Sequence, residues 1–276
     1  MRSGGQALPR RQKAIGPNGW PPRFRPVQRR CFGAPYLDKA RYNSAMRLDY
    51  FIAHSAGVTR KQAKQLINRG AVTVDGLARP KAGDIIAGHT VRLDGEILQL
   101  PGERYLMLHK PPGVVCSTDD PRHRSVLALL PHAEQHGLRI VGRLDIDTTG
   151  LLLLTTDGPW LHRITSPRSH CPKRYRATLA EPLDDTALQQ LRDGVLLRDD
   201  PTPTRPALAE RLAPNVLSLT ITEGRYHQVK RMVAATGNRV LALHREAIGT
   251  VSLDPALAAG EFRQLDAQEI ISLSTV

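Results

Sequence analysis

Apolar residues recur along this 276-residue chain with two different periods, and the changes of period mark out its elements. Between residues 46 and 70 the spacing is helical. Leu48, Phe51 and Ile52 stand at i, i+3 and i+4; after Thr59, an N-cap candidate, Ala63, Leu66 and Ile67 form one stripe. Gly70 is placed to end that second helix. The period then falls to two. Val72 and Val74 alternate before Asp75-Gly76, and VRLDGEIL carries a hairpin signal at Asp94-Gly95. Residues 46–100 therefore read as a short helix pair on a small sheet, and PGER at 101–104 as a linker.

Beyond it, strand patterns alternate with helix signals. YLMLH reads as a strand and Lys110-Pro111-Pro112-Gly113 as a stiff turn. LLLLTT reads as a buried strand, with Asp157 and Pro159 placed to start a short helix. KRYRATL alternates Tyr175, Ala177 and Leu179 against Arg174, Arg176 and Thr178, a half-buried strand. DDTALQQLRDG and YHQVKRMVAATG read as helices ending at Gly194 and Gly237, VLSLTITEG as a strand into a turn. Asp266 opens a last short helix. There are no repeats and no nucleotide-binding glycine fingerprint, and the pattern predicts a mixed α+β fold.

Composition removes several classes. The apolar fraction of 41% is enough for a core. The run from Leu151 to Leu154 is far too short to span a bilayer. The N-terminus is basic without an apolar segment, so no secretory signal is expected. Cys31, Cys116 and Cys171 are odd in number, which argues against a disulfide framework and for a reducing, cytoplasmic compartment. No long exposed apolar stripe is evident, so a monomer is expected.

The net charge of +13 is unevenly spread. Residues 1–44 hold ten Lys/Arg against one acid, with six Pro, five Gly and no apolar periodicity. Residues 1–45 are expected to be a disordered basic tail. Such an arm suggests a polyanionic partner or is a solubilising extension. Arg60, Lys61 and Lys64 lie off the apolar stripe of their helix, a cationic face suited to a phosphate backbone or simply solvated.

Candidate chemistry concentrates in GRLDIDTTGLLLLTTDG. Asp145 and Asp147 stand just ahead of the leucine run, and Asp157 follows it. Buried carboxylates are costly unless paired, so these are solvated turn residues or at least one is there for chemistry. Asp145-x-Asp147-x-Thr149 spells the nucleophile motif of haloacid-dehalogenase-like phosphatases, but there the apolar strand precedes the motif and here it follows. His132 and His136 have metal-ligand spacing for a helix, yet the polar segment around them fits a solvated helix better.

Whole stretches carry a stronger signal. MRLDYFIAHSAGVTRKQAKQLINRGAVTVDG resembles the RNA-binding module first named in small-subunit ribosomal protein S-four. That likeness implies RNA contacts by Arg47, Arg60, Lys61, Lys64 and Arg69. GRLDIDTTGLLLLTTDG, with YLMLHKPPGVVCSTDD, LHRITSPRSHCPKRYRATL, ITEGRYHQVKRMVAATGN and VLALHREAIG, resembles the pseudouridine synthases of the small-subunit ribosomal type, in the same order. The resemblance covers nearly everything from residue 46 onward. It implies an RNA-binding module over residues 46–100, followed by a catalytic domain over residues 101–276. That domain would be a mixed, largely antiparallel sheet flanked by helices.

The reaction implied breaks the N1–C1′ bond of a uridine, turns the base and joins C5 to C1′, without cofactor or metal. Asp145 would act at the ribose, as nucleophile at C1′ or base at C2′, with a cation beside it. Lys230 takes the family's basic position, on a helix face shared with His227 and Arg231. Tyr175 would stack on the uracil, and such stacking is worth about 1–3 kcal/mol. Arg143 would fill the gap left by the flipped base. Asp147 is assigned to the turn, bonding backbone or Thr148 and Thr149. STDDP, ITSPRSHC and EGRYHQVKRM are close to members that modify uridine 516 of 16S rRNA. The implied partner is therefore 16S rRNA in an assembling small subunit, with no membrane. The alternatives are a 23S-directed synthase or a non-catalytic assembly factor.

Overall fold

Thr59 opens its helix as the spacing predicts: the Thr59 hydroxyl accepts from the Gln62 N–H at 3.2 Å, and the Gln62 side chain accepts from the Thr59 N–H at 2.9 Å. This is a computed structural model, and it describes residues 46–100 and 102–275. The expected basic tail lies outside the described residues. Helix α1 (Leu48–Ser55) and α2 (Arg60–Asn68) bury Leu48, Phe51, Ile52, Ala63 and Ile67. They pack with Val72 and Val91 of a four-stranded antiparallel sheet. Its strands are β1 (Val72–Val74), β2 (Leu77–Ala78), β3 (Val91–Leu93) and β4 (Glu96–Ile97), in the order β2-β1-β3-β4. Asp94 and Gly95 both take positive φ, 49° and 87°, the geometry a two-residue hairpin needs.

The larger sheet has nine strands and is antiparallel at every pairing but one. With β9 (Leu208–Ala213), β12 (Val251–Ser252) and β13 (Phe262–Gln264) at its margins, its order is β13-β5-β7-β11-β8-β10-β9, with β6 on β7 and β12 on β11. The strands that matter for the site are β5 (Tyr105–Lys110), β6 (Arg139–Val141), β7 (Thr149–Thr155) and β8 (Lys173–Leu179). With them run β10 (Val216–Ile221) and β11 (Val240–Ile248). The leucine run is the centre of β7. Leu152 and Leu154 enter the core on one face, with Leu106, Tyr175 and Leu219. Leu151 and Leu153 enter the other, with Met107, Trp160 and Ile164. A strand covered on both faces has no polar phase, which is why four leucines run together.

Helices flank the sheet. Asp157 caps α4 (Gly158–Thr165) by accepting from Trp160 N at 3.0 Å, and its carboxylate also receives the Tyr105 hydroxyl at 2.8 Å. α5 (Asp185–Asp193) runs into Gly194, and Asp266 caps α7 (Ala267–Ser274). Helix α6 (Gln228–Ala235) starts two residues later than its sequence suggests. His227 is left-handed (φ 48°, ψ 35°) and stands outside the helix. The turn before it is held by Arg225, which pairs with Asp200 at 3.0 Å and Glu223 at 3.3 Å. α3 (His132–Gln135) is a single turn; His136 is extended, so the two histidines do not share a helix face. Among the described residues no helix is long and apolar enough to cross a membrane.

Candidate active site

The loop from β6 to β7 carries Arg143, Asp145 and Asp147, and it is tied down from beneath. Lys110 ends β5 with no exposed surface. Its ammonium donates to the carbonyls of Thr148 at 2.8 Å, Pro111 at 3.1 Å and Ile146 at 3.3 Å. Burial pushes the Lys110 pKa below the usual lysine value. Gly113 N–H donates to the Ile146 carbonyl at 2.8 Å, and Leu144 N–H to Cys116 Sγ at 3.4 Å. The stiff Lys-Pro-Pro-Gly turn thus clamps the loop's backbone, and Asp145 is presented from a fixed frame.

One segment distant in sequence, the start of α6 with its N-cap, converges on Asp145. Lys230, in the first turn of α6, reaches Oδ2 at 3.0 Å, and His227 Nε2 lies 3.4 Å from Oδ1. Lys230 also donates to Asp147, at 2.6 Å and 2.9 Å. Burial works against the charge of Lys230, but its bonds to Asp147 and Asp145 outweigh that and raise its pKa. The Lys230 hydrogen bond holds the Asp147 carboxyl below the ordinary carboxylate range. Asp147 is therefore a second partner of Lys230; the sequence suggested that it bonds backbone or Thr148 and Thr149 in its own turn, and the structure adds this ammonium.

A cleft of about 650 Å³ opens beside Asp145. Tyr175 lines it from β8 and is only 7% exposed. Arg143 lines it from the β6–β7 loop and is exposed. The structure thus gathers Arg143, Asp145 and Tyr175 around one cavity, with Lys230 on the carboxylate. Tyr226, 72% exposed, stacks on His227 with ring centroids 3.8 Å apart and lines the same cleft. Arg245 on β11 and Lys173 on β8 line it too. Sequence reasoning had not singled out Arg245, Lys173, Lys110 or Tyr226. For Arg245 a signal existed: it shares strand phase with the buried Leu243 and Ala247, an unusual place for a cation.

The residues expected to meet RNA do not line this cleft; they stand at the N-cap of α1 (Arg47), on α2 (Arg60, Lys61, Lys64) and at its C-cap (Arg69). Lys61 and Lys64 are exposed. Arg47 and Arg60 are half-exposed and both bond Asp49, which has no exposed surface: Arg47 Nε at 3.1 Å and Arg60 Nη2 at 2.9 Å. Arg69 stands 3.8 Å from Asp94. These three arginines also have structural partners, a task the sequence pattern did not reveal.

Comparison with known proteins gives this geometry a context. Residues 104–235 match the RNA pseudouridylate synthase family model, and residues 46–86 match the S4 domain. The chain is 52% identical over 230 residues to ribosomal small subunit pseudouridine synthase A of Escherichia coli K12, covering 83% of this chain and 100% of that one. The Vibrio cholerae protein of the same name is 46% identical over 230 residues, covering 83% and 99%. A crystal structure of a pseudouridylate synthase superposes with a TM-score of 0.61 at 44% identity, covering 83% of this chain and all of the other.

Proposed function

The chain belongs to the RNA pseudouridylate synthase family and is a pseudouridine synthase with an S4 domain; from that premise we propose that it isomerises one uridine of small-subunit ribosomal RNA. Two relatives about half identical over their whole length are named for that subunit, which supports this substrate over a 23S target. Uridine 516 of 16S rRNA is the proposed site, on the likeness of STDDP, ITSPRSHC and EGRYHQVKRM. The enzyme works as a cytoplasmic monomer. Its parts are a basic tail to residue 45, an RNA-binding domain to residue 100, and the catalytic domain beyond.

The single observation that carries the mechanism is the carboxylate of Asp145, held by Lys230 at 3.0 Å at the edge of a cleft lined by Tyr175. Asp145 acts at the ribose, by attack at C1′ or by taking the C2′ proton. On either route N1 keeps the electron pair of the broken bond. Tyr175 covers one face of the freed uracil, so it turns without escaping. C5 then bonds to C1′ as Asp145 either leaves C1′ with its electron pair or returns the proton to C2′; the C5 proton leaves, N1 regains a proton, and nothing is oxidised or hydrolysed. Arg143, exposed at the cleft, takes the space of the flipped nucleotide. Lys61, Lys64 and the half-exposed Arg47, Arg60 and Arg69 meet phosphates.

Pseudouridine mapping in a strain lacking the gene tests this reading. One 16S pseudouridine is expected to vanish, to return with the wild-type gene, and to stay absent with Asp145→Asn. Loss of a 23S site would move the target, and an active Asp145→Asn variant would overturn the role of that carboxylate.

A further inference from the structure

The cleft holds more positive charge than its carboxylates use. Arg245 is 2% exposed. Its Nε donates to the Leu151 carbonyl at 2.8 Å and its Nη1 lies 3.5 Å from the Tyr175 hydroxyl, while Nη2 has no partner among the described residues. Lys173, half-buried two residues before Tyr175, donates only to the Cys171 carbonyl, at 2.9 Å, among the described residues. Burial pushes its pKa down.

The three acids lining the cleft are occupied elsewhere. Asp145 has Lys230, and Glu223 has Arg225 at 3.3 Å and Gln228 at 2.8 Å. Asp120 has His123 at 3.1 Å and the Arg122 N–H at 2.8 Å. Removing a guanidinium from water without a counter-charge is strongly unfavourable, and such an arrangement persists where an anion is to be held. Arg245 is also the cross-strand neighbour of Tyr175, in register on β11 and β8. Its Cζ lies 6.0 Å from the ring centroid. The guanidinium thus stands beside the ring assigned above to stack on the uracil.

We propose that Arg245 and Lys173 form the subsite that holds the detached uracil as an anion. This rests on the pseudouridine reading above and deepens it. When the N1–C1′ bond breaks, its electron pair stays on the base, and the charge spreads over N1, O2 and O4. Fixed cations in a water-poor cleft stabilise that charge as it forms and do not have to reorganise. They bind the neutral uridine less well, so their effect falls on turnover and not on affinity. When C5 joins C1′ and N1 is reprotonated, the charge disappears and the product is released from the subsite.

The test changes the leaving ability of the base. 16S rRNA transcripts are made with uridine or with 5-fluorouridine, and used naked or bound to small-subunit proteins, whichever the wild type turns over. Fluorine at C5 withdraws electron density, so the departing base needs less help. Single-turnover consumption of the target nucleoside is followed for wild type, Arg245→Met and Lys173→Met. Arg245→Met is expected to fold with an unchanged or higher Tm and to keep RNA affinity. It should lose about 100-fold in rate on uridine. On 5-fluorouridine its loss relative to wild type shrinks to about tenfold, and Lys173→Met shows the same trend more weakly. Equal losses on both bases, or no loss on uridine, would overturn the proposal. If Arg245→Met does not fold, Lys173→Met decides alone by the same criterion. A wild type that converts neither transcript refutes the functional reading itself, a different outcome from a wild type that works and variants that ignore the fluorine.

Discussion

Lys230 Nζ stands 3.0 Å from Asp145 and 2.6 Å from Asp147, so one ammonium is shared by two carboxylates two residues apart. The two acids differ in exposure, 23% for Asp145 against 66% for Asp147. Only Asp145 also approaches His227 and lines the cleft. Lys230→Met is expected to lower the single-turnover rate about 100-fold, since the carboxylate proposed to act at the ribose loses its fixed cation. Asp147→Asn should cost no more than about tenfold, a solvent-exposed pair being weak. The reverse order of severity would place the chemistry on Asp147.

Gly150 stands in the parallel contact of the large sheet, next to Thr149 and in register with Arg245. Its φ is +106°, and a Cβ there would come within 2.3 Å of the Arg245 carbonyl oxygen and 2.7 Å of its nitrogen. Gly150→Ala must therefore push β11 from β7 or bend one of them. A loss of about 2–3 kcal/mol in denaturant unfolding is expected. Activity should fall further than stability explains, because Arg245 and Tyr175 shift together.

The cationic face of α2 should act through counterion release. Lys61→Ala with Lys64→Ala is expected to weaken RNA binding and to flatten log Kd against log salt by about 0.7–0.9 per charge removed. Filter binding over a salt series measures it. An unchanged slope would remove these lysines from the interface. Arg60→Ala is predicted to differ, because it also takes a partner from Asp49.

Asp49 links the first module to pH. The Arg47 hydrogen bond, opposed by burial and aided by Arg60, holds its carboxyl below the ordinary carboxylate range. A group whose pKa is depressed on folding contributes stability above its unfolded value, about 4, and loses it as pH falls through the folded value. Amide exchange across residues 48–74 should therefore accelerate below about pH 4 in the wild type. In Asp49→Asn the same amides should exchange faster at neutral pH, with little further change in that acid window.

Much of this protein was legible along the chain because the determining contacts are short-range. The Thr59 and Asp266 capping boxes close within three residues, and the Asp94-Gly95 turn within two. The strand and helix periods are local as well, and they placed Leu48, Ala63, Tyr175 and Leu179 in the core without any tertiary information. Asp145, Tyr175 and Lys230 were reached through motif likeness, and the fold brings their elements to one cleft.

Only the tertiary structure decided which residues meet across long separations. Lys230 finds Asp147 over 83 positions, and Arg245 finds Tyr175 over 70. Those pairings depend on strand order and register, which no local period encodes. The left-handed His227 stands two residues after the Arg225 anchor on Asp200 and Glu223, and the helix begins at Gln228, later than its own residues suggest. Lys110 ends an apolar strand, and the sequence showed it only as the first residue of a stiff turn. Its burial beneath the Asp145 loop exists because three carbonyls of two separate turns converge there. The chain by itself determined its elements and its candidate acid, because helices, hairpins and caps are set by neighbouring residues. The arrangement of charge around that acid was decided by the packing of strands far apart in the chain.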